Sequence, residues 1–295
     1  MIKNVIIVGL GEVGKAIKRV EQEAGNTIFE VEQDTLELVL PKKIDAMHVC
    51  IPYGNSFEDS VIHYMTGFKP DITIIHSTIS PGATETIKAI TNMNVVHSPI
   101  RGVHPELYEG IKTFPKYVGG DEHSCKVATE HLNSIKINVT TEMQSKETEF
   151  LKILSTTYYA WNIMYADFVG KLCKENNLDY DKVYTQANID YNEGYEKLDM
   201  INVRRPILAP PKNGIGGHCL MENIVLLYKF NPEFCKNMLK IGKDSKDPIN
   251  DKAWLAGEYI GKEKTAQEIA DDLNVINDTV HYRLRKYGLK NLKNL

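Results

Sequence analysis

Short apolar runs alternate with helical stretches over roughly the first 140 residues of the chain. The apolar runs are rich in β-branched residues and are bounded by Gly, Pro, Asn or Asp, a pattern that predicts strands. They cover residues 5–8, 27–31, 46–51, 72–75 and 94–97, and helices are predicted between them at 13–24, 57–65 and 83–91. Near-continuous apolar strands in βαβ order predict a parallel sheet covered on both faces.

The pattern changes at Ser145. From there to about Asn176 the chain has no Gly or Pro except Gly170, and apolar residues populate more than one helical face. This predicts one long helix, buried on several sides, that forms both the spine of a second domain and a subunit interface. A Pro/Gly loop follows at 206–217, then a helix at 224–230 and a polar linker at 243–248.

Composition and charge exclude several classes of protein. The 295 residues carry 35 Lys+Arg and 39 Asp+Glu, for a net charge of −4, and 42% are hydrophobic. These are ordinary globular values, which argue against a disordered, collagenous or membrane-embedded chain, and the N-terminus shows neither a signal peptide nor a membrane span. Five widely spaced cysteines without a C-x-x-C pair favour a reducing cytoplasm, and no metal site is expected.

A glycine-rich turn follows the first strand and opens a helix. Its sequence, Gly9-Leu10-Gly11-Glu12-Val13-Gly14, matches G-x-G-x-x-G, in which glycines allow close backbone approach and helix amides face a pyrophosphate. An acidic residue about 20 positions on is expected to receive the ribose hydroxyls. Among Glu30, Glu32 and Asp34 we favour Glu32, at the strand's end, and an acid there favours NAD over NADP. The alternative is a glycine turn in a nucleotide-free domain of the same Rossmann-like fold.

A cysteine lies between a second glycine-rich segment and a predicted helix, in Gly214-Ile215-Gly216-Gly217-His218-Cys219-Leu220. Unpaired backbone amides at such a place stabilise a thiolate and make it nucleophilic. The alternative is a small buried residue beside a tight turn, and this segment alone leaves both interpretations open.

With these segments the chain resembles the UDP-glucose/GDP-mannose 6-dehydrogenase family over roughly residues 1–230. The matching pieces occur in the family's order at 9–14, 50–52, 77–82, 98–99, 118–120, 146–152 and 216–219. The resemblance implies an NAD-binding Rossmann domain, a 6-phosphogluconate dehydrogenase-like helical domain that dimerises through its long helix, and two successive oxidations of a sugar's C6 alcohol to the carboxylate. It also implies that the cofactor site includes Ile51, Pro52, Ser77 and Thr78.

Three catalytic residues carry over from the family. Cys219 matches the nucleophile that forms a thiohemiacetal and then a thioester, Lys152 matches the lysine that stabilises oxyanion charge, and Thr78 matches a threonine that helps position water. Lys152 has an alternative interpretation as an ordinary lysine on a helix surface.

Departures from the family pattern affect the acid/base groups. Thr156 replaces an asparagine, Asn223 replaces an aspartate and so cannot act as a carboxylate base, and Ile100 replaces a glutamate. A second expected glutamate is replaced near His104, and His104 or His218 is the candidate base because histidine titrates near neutrality. The family's third, nucleotide-gripping domain has no counterpart in the roughly 75 residues after Cys219, which implies either a smaller substrate or contacts from a partner chain.

The last segment, 264–289, resembles a helix-turn-helix, with Asn274 suited to the turn and Asn277 or Asp278 suited to cap the second helix. Its distal half is locally basic, as DNA phosphate contacts require, and residues 264–293 are therefore a candidate DNA-binding region. A small helical cap that serves packing or assembly is the alternative.

Together these features predict a Rossmann domain (1–143), an all-α dimerisation and catalytic domain (144–245) and a small helix-turn-helix-like unit (250–295). The predicted protein is a cytoplasmic, homodimeric, NAD-dependent dehydrogenase acting on a sugar or nucleotide sugar through Cys219. The rival hypothesis is an NAD-sensing DNA-binding regulator derived from such an enzyme. A third is a two-electron enzyme in which Cys219 takes no part.

Overall fold

The computed structural model describes residues 2–32, 39–102, 106–211, 218–240 and 247–293, and the side chains in these ranges except those of residues 141, 142, 218 and 219. The chain forms two compact units, Met1–Lys152 and Ile153–Leu295.

A seven-stranded sheet forms the centre of the first unit. Its strands are β1 (Asn4–Val8), β2 (Thr27–Val31), β3 (Ala46–Val49), β4 (Ile72–Ile75), β5 (Val95–His97), β6 (Lys116–Gly119) and β7 (Val139–Met143). They lie in the order β2-β1-β3-β4-β5-β6-β7, and every neighbouring pair is parallel except β5 and β6.

Helices cover both faces of this sheet. They are α1 (Glu12–Glu23), α2 (Phe57–Phe68), α3 (Ala83–Thr91), α4 (Leu107–Thr113) and α5 (Glu122–Ser134). Apolar residues of α1, α4 and α5 pack with alternate strand residues such as Val5 and Ile7 on one face, while α2 and α3 pack with Ile6 and Val8 on the other. The predicted Rossmann-like α/β domain is therefore confirmed.

Two differences from the predicted elements have clear causes. The third strand ends at Val49 rather than at Ile51, because Pro52 lacks an N–H and restricts the residue before it. The strands β6 and β7 carry Lys, Tyr, Thr and Glu, so neither shows the apolar run that identified the first five strands.

Helix α1 lies unusually close to the end of β1. A Cβ on Gly14 would lie 1.9 Å from the Gly9 carbonyl oxygen, and a Cβ on Gly9, whose φ is +89°, would lie 2.9 Å from Cγ2 of Ile51. A side chain on Gly14 would push the helix away from the Gly9 backbone, and one on Gly9 would push the turn away from the residues that follow β3. The glycines therefore fix where the N-terminus of α1 stands relative to the ends of β1 and β3.

The described part of the second unit is helical throughout. The long helix α6 (Ser145–Glu175) begins within the first unit, and it is followed by α7 (Ala187–Lys197), α8 (His218–Tyr228), α9 (Pro232–Leu239), α10 (Lys252–Ala256), α11 (Ala266–Leu273) and α12 (Asn277–Lys286). Single turns of 3₁₀ helix lie at Ile201–Val203 and Pro248–Asn250, and π-helical turns at Asp181–Gln186 and Gly257–Gly261. Among the described residues, no helix has both the length and the apolar content that a bilayer crossing requires.

Helix α6 has the predicted bounds, but much of its apolar surface is exposed in the single chain. The exposed residues recur at alternating intervals of four and three along the helix: Leu154, Tyr158, Trp161, Tyr165, Phe168 and Leu172. Their exposed fractions run from 43% for Trp161 to 65% for Tyr158. A stripe with this spacing lies on one face of a helix, as in the seam of a coiled coil.

The C-terminal helices α11 and α12 are joined through Asn274, which has a φ of +51°. Thr265 and Glu268 form a capping box at the start of α11. The residue that precedes α12 is the extended Ile276, so Asn277 and Asp278 lie inside the first turn, and the predicted cap by either side chain is wrong.

The close packing of α1 against Gly9 predicts opposite outcomes for two Gly→Ala substitutions. Gly14→Ala is expected to lower the free energy of unfolding by about 1–3 kcal/mol, because the new methyl must displace the helix from Gly9. Gly67→Ala, in α2 with no atom near its Cβ position, is the control and is expected to raise it by about 0.5–1 kcal/mol. Urea unfolding of both variants measures the difference, and equal effects would contradict the close packing.

Candidate cofactor and catalytic site

The glycine turn leaves the N-terminus of α1 open. Gly11 precedes the helix without a side-chain cap, and a Cβ placed on Gly11 would meet no atom within 4 Å. Glu12 is exposed and Val13 packs against the core. Backbone N–H groups at a helix N-terminus form the cradle that a pyrophosphate needs. The residues present therefore fit a dinucleotide.

Glu32 lies beside the same turn. It follows β2, and its carboxylate accepts a hydrogen bond from the backbone N–H of Leu10. Glu30 instead forms an ion pair with Lys18, at 2.6 Å, and Asp34 falls outside the described residues. Of the two described candidates, Glu32 is thus the one in contact with the glycine turn.

The ends of β3 and β4 meet next to this turn. The Ser77 hydroxyl donates to the carbonyl of Ile51 at 2.6 Å, and the Ser77 carbonyl lies 3.1 Å from Nε2 of His97. Ile51, Pro52 and Thr78 lie in the same loops, after the carboxyl ends of parallel strands. Ligands of open α/β sheets bind at this edge.

Glu149 is a site residue that the sequence did not single out. It is fully buried and accepts hydrogen bonds from the backbone N–H groups of Gly82 and Thr84, at 2.6 and 3.0 Å, and from the Thr84 hydroxyl at 2.7 Å. Burial raises the pKa of this carboxyl, although the three hydrogen bonds oppose the change. The contact fixes the start of α6 against the loop after β4. Its position in the 146–152 motif, three residues before Lys152, was the available signal.

Lys152 contacts the segment that follows β5. Its Nζ donates to the Ile100 carbonyl at 2.8 Å, and the side chain is half-buried. Thr156 follows one turn later on α6 and is also half-buried. Lys152 is therefore oriented by the backbone of residue 100.

The remaining predicted residues divide between the two units. Thr78 and Lys152 belong to the first unit, and Thr156, Cys219 and Asn223 to the second. Helix α8 begins at His218, so Cys219 lies in a first helical turn, although its side chain is outside the described part. Asn223 is one turn further along and only 2% exposed. His104 lies outside the described residues.

Comparison with known sequences identifies the central segment. Residues 146–241 match the UDP-glucose/GDP-mannose dehydrogenase family, central domain. No curated protein sequence matches the chain.

Solved structures share its fold at low sequence identity. A UDP-D-ManNAc dehydrogenase from Pyrococcus horikoshii is 17% identical with a TM-score of 0.64, and the similarity covers 92% of this chain and 72% of that one. A UDP-glucose dehydrogenase from Pyrobaculum islandicum is 14% identical with a TM-score of 0.60, over 93% and 72%. A 3-hydroxyisobutyrate dehydrogenase from Mycobacterium tuberculosis is 13% identical with a TM-score of 0.56, over 96% and 99%.

The segment match and the shared fold confirm the resemblance that the motifs carried. Residues 146–241 are therefore similar to the central domain of the UDP-glucose/GDP-mannose dehydrogenase family, and the solved structures share the fold of the chain.

Proposed function

We propose that this chain is an NAD-dependent oxidoreductase that oxidises the primary alcohol of a sugar or nucleotide sugar to the carboxylate, with Cys219 as the nucleophile. The observation that carries the proposal is the family match over residues 146–241, which includes Lys152, Thr156, Cys219 and Asn223. The open glycine turn beside Glu32 supports a dinucleotide as the oxidant.

The chemistry assigns a distinct role to each of two residues. Each oxidation removes a hydride and a proton from the substrate carbon and oxygen, and NAD supplies the hydride acceptor. Between the two oxidations the Cys219 thiolate adds to the aldehyde, and oxidation of that adduct gives a thioester. Water then releases the carboxylate and regenerates the thiol. The Lys152 ammonium stabilises the oxyanion of each tetrahedral species.

The proton acceptor differs from the family pattern. Asn223 has an amide where the family has a carboxylate, so it orients a neighbour or a water molecule without taking a proton. Thr156 supplies a hydroxyl one turn after Lys152. His104 is the candidate general base, because an imidazole titrates near neutral pH.

The substrate belongs to one of two size classes. The proteins from P. horikoshii and P. islandicum act, by their names, on UDP-sugars, which favours a nucleotide sugar. The M. tuberculosis protein, matched over 99% of its length, is named for a small hydroxy acid, and this similarity favours a smaller alcohol as the alternative.

A homodimer through α6 is part of the proposal. The six-residue apolar stripe defined above, from Leu154 to Leu172, has coiled-coil spacing and is between 43% and 65% exposed. Exposed apolar residues in such a seam are stabilised when a second copy covers them. The helix is 31 residues long, enough for more than four heptads.

A reducing, cytoplasmic location also belongs to the proposal. Cys50, Cys125, Cys173 and Cys235 are all free thiols. Nucleophilic chemistry at Cys219 requires a thiol as well, and cytosolic conditions keep thiols reduced.

DNA binding by residues 264–293 is the second candidate. The exposed residues Tyr282, Arg285 and Lys286 on α12 favour it. One observation argues against DNA binding. Lys293 donates to the backbone carbonyls of Glu263 and Lys264, so the charge of this basic side chain is already engaged in intramolecular hydrogen bonds. We therefore place this activity below the dehydrogenase.

Cys219→Ala is expected to abolish carboxylate formation while the affinity for NAD stays within about twofold, because the thiol acts on the aldehyde and not on the cofactor. Mass spectrometry of the products from a panel of UDP-, GDP- and simple sugars measures this. Cys173→Ala, at a buried cysteine on α6, is the control and should keep the activity. Full carboxylate yield from the Cys219 variant would refute the nucleophile.

Glu32→Gln is expected to weaken NAD binding by about 10-fold, the equivalent of one charge-assisted hydrogen bond. The substitution should also reduce the preference for NAD over NADP, because the Glu32 carboxylate no longer repels the 2′-phosphate of NADP. Glu30→Gln is the matched control, since Glu30 pairs with Lys18. Titration calorimetry with NAD and NADP gives both affinities, and equal losses in the two variants would contradict the assignment of Glu32.

Phe168→Glu is expected to convert the dimer into a monomer by placing a charge in the exposed stripe of α6. Ile90→Glu, at a 62% exposed position on α3, should leave the dimer intact. Sedimentation velocity distinguishes the two variants. A monomeric wild-type chain would contradict the proposed interface.

A further inference from the structure

Five buried ionisable residues are hydrogen-bonded in series across the first unit, beneath the sheet edge that carries the site; we call this series the proton chain. Its members are Glu21 on α1, His48 on β3, His76 after β4, Lys116 at the start of β6 and His131 on α5, and none is more than 3% exposed. Apolar helices cover this face, so these polar groups depend on one another for hydrogen bonds.

Each link in the chain has hydrogen-bond length. Oε1 of Glu21 lies 2.8 Å from Nε2 of His48 and 2.8 Å from Nε2 of His131. Nδ1 of His48 lies 2.8 Å from Nε2 of His76, and the planes of the two rings differ by 12°. Nδ1 of His76 lies 2.8 Å from the Ser98 carbonyl oxygen and 3.2 Å from Nζ of Lys116.

The carboxylate end of the chain is well stabilised. Burial would raise the pKa of Glu21, but hydrogen bonds from His131 and His48 outweigh it and hold that pKa far below its usual range. Nζ of Lys3 lies 3.2 Å from Nδ1 of His131, and Nδ2 of Asn26 donates to the other carboxylate oxygen of Glu21 at 2.6 Å. Glu21 is therefore an anion that accepts from its neighbours.

The positions of the protons follow from which atoms can donate. A carbonyl oxygen only accepts, so Nδ1 of His76 carries the proton that faces Ser98. Burial, with any charge on Lys116, lowers the pKa of His76 well below its usual value, so this ring carries only that one proton. Its Nε2 is then bare and accepts from Nδ1–H of His48. Because Nε2–H of His48 also donates to Glu21, His48 carries two ring protons and is a cation.

The three contacts of Lys116 determine the protonation state of its amine. Its Nζ donates to the carbonyls of Ser98 and Pro99, at 2.5 and 2.9 Å, and its third neighbour is the protonated Nδ1 of His76. An amine with two N–H groups and one lone pair satisfies all three contacts, whereas an ammonium would direct a hydrogen at the His76 proton. Burial lowers the pKa of Lys116 well below its usual value, in the same direction.

A second arrangement differs by two proton transfers, which together move one positive charge from His48 to Lys116. Nδ1–H of His48 passes its proton to Nε2 of His76, and Nδ1–H of His76 passes its own to Nζ of Lys116. Lys116 is then an ammonium, His48 is neutral, and the total charge is unchanged. One positive charge thus has two sites, His48 and Lys116, linked by His76.

The two lysines at this sheet edge donate to adjacent backbone carbonyls. Lys116 binds the carbonyls of residues 98 and 99, and Lys152 binds that of residue 100. Besides burial, which is the main cause, the charge on Lys152 lowers the pKa of Lys116, so an ammonium at Lys116 would be repelled by the one at Lys152. A neutral Lys116 leaves the positive charge of this edge on Lys152.

We propose that Glu21, His48, His76 and Lys116 form a proton relay that stores the proton of Lys116 on His48 and so keeps Lys152 charged. The relay consists of positioning residues, and its purpose rests on the proposed role of Lys152. The proton arrangement itself can be measured in the free protein, so a failure of the proposed chemistry and a failure of the relay are distinguishable.

The same atoms of Glu21, His48 and His131 lie within 4.8 Å of one another, a spacing that also suits a metal ion. The hydrogen bonds argue against that use. Lys3 faces Nδ1 of His131, which puts the proton of this ring on Nε2, toward Glu21. A metal ligand needs that nitrogen bare.

The test is ¹⁵N NMR of the full chain labelled at histidine, without added cofactor. The relay predicts that both ring nitrogens of His48 are protonated and that His76 carries its proton on Nδ1. A neutral His48 together with a proton on Nε2 of His76 would overturn it. Displacement of the His48 and His131 signals by one equivalent of Zn²⁺ would also overturn it.

Two variants test the coupling. Glu21→Gln removes the anion that retains the proton, so His48 should become neutral and the proton of His76 should move to Nε2 as Lys116 takes up the charge. In Glu21→Gln with Lys116→Met no amine is present, and the proton of His76 should stay on Nδ1. An unchanged His76 in the single variant, or the same shift in both, would contradict the relay. Should Glu21→Gln not fold, the wild-type spectrum still decides.

Discussion

The contact of Gly14 with the Gly9 carbonyl determines where α1 stands, and much of the first unit depends on that position. It places Gly11 at an open helix N-terminus and brings Leu10 to the carboxylate of Glu32. Two turns further along the same buried face, α1 carries Glu21 to the imidazoles of His48 and His131. The helix that forms the cofactor cradle therefore also anchors the buried proton chain.

The segment of residues 98–100 connects these parts of the unit. Its three carbonyls accept from Lys116 and Lys152, while Glu149, on the same helical turn as Lys152, holds the loop after β4. Two cations at one sheet edge repel each other, and burial penalises the one with less water around it. A neutral Lys116 resolves this conflict without the loss of any hydrogen bond.

The sequence predicts the elements better than the contacts between them. The glycine turn, the first five strands and the bounds of α6 follow from local patterns, because turn geometry and apolar runs are local properties. The proton chain joins residues from positions 21 to 131, and no short-range pattern links a histidine in a buried strand to a glutamate on a distant helix. His48, a polar residue inside the apolar strand β3, was the visible signal. In α6, apolar content predicted burial on several sides, but a stripe of its apolar residues is exposed in the single chain, and composition alone does not distinguish the two cases.

The proposed function requires that one protein carries out two successive oxidations on one substrate through NAD and Cys219. The most direct measurement is the ratio of NADH formed to sugar consumed when the wild-type protein turns over a limiting amount of its substrate. Two NADH and one carboxylate are expected for each sugar. One NADH for each sugar, with an aldehyde or ketone as the product, would contradict it.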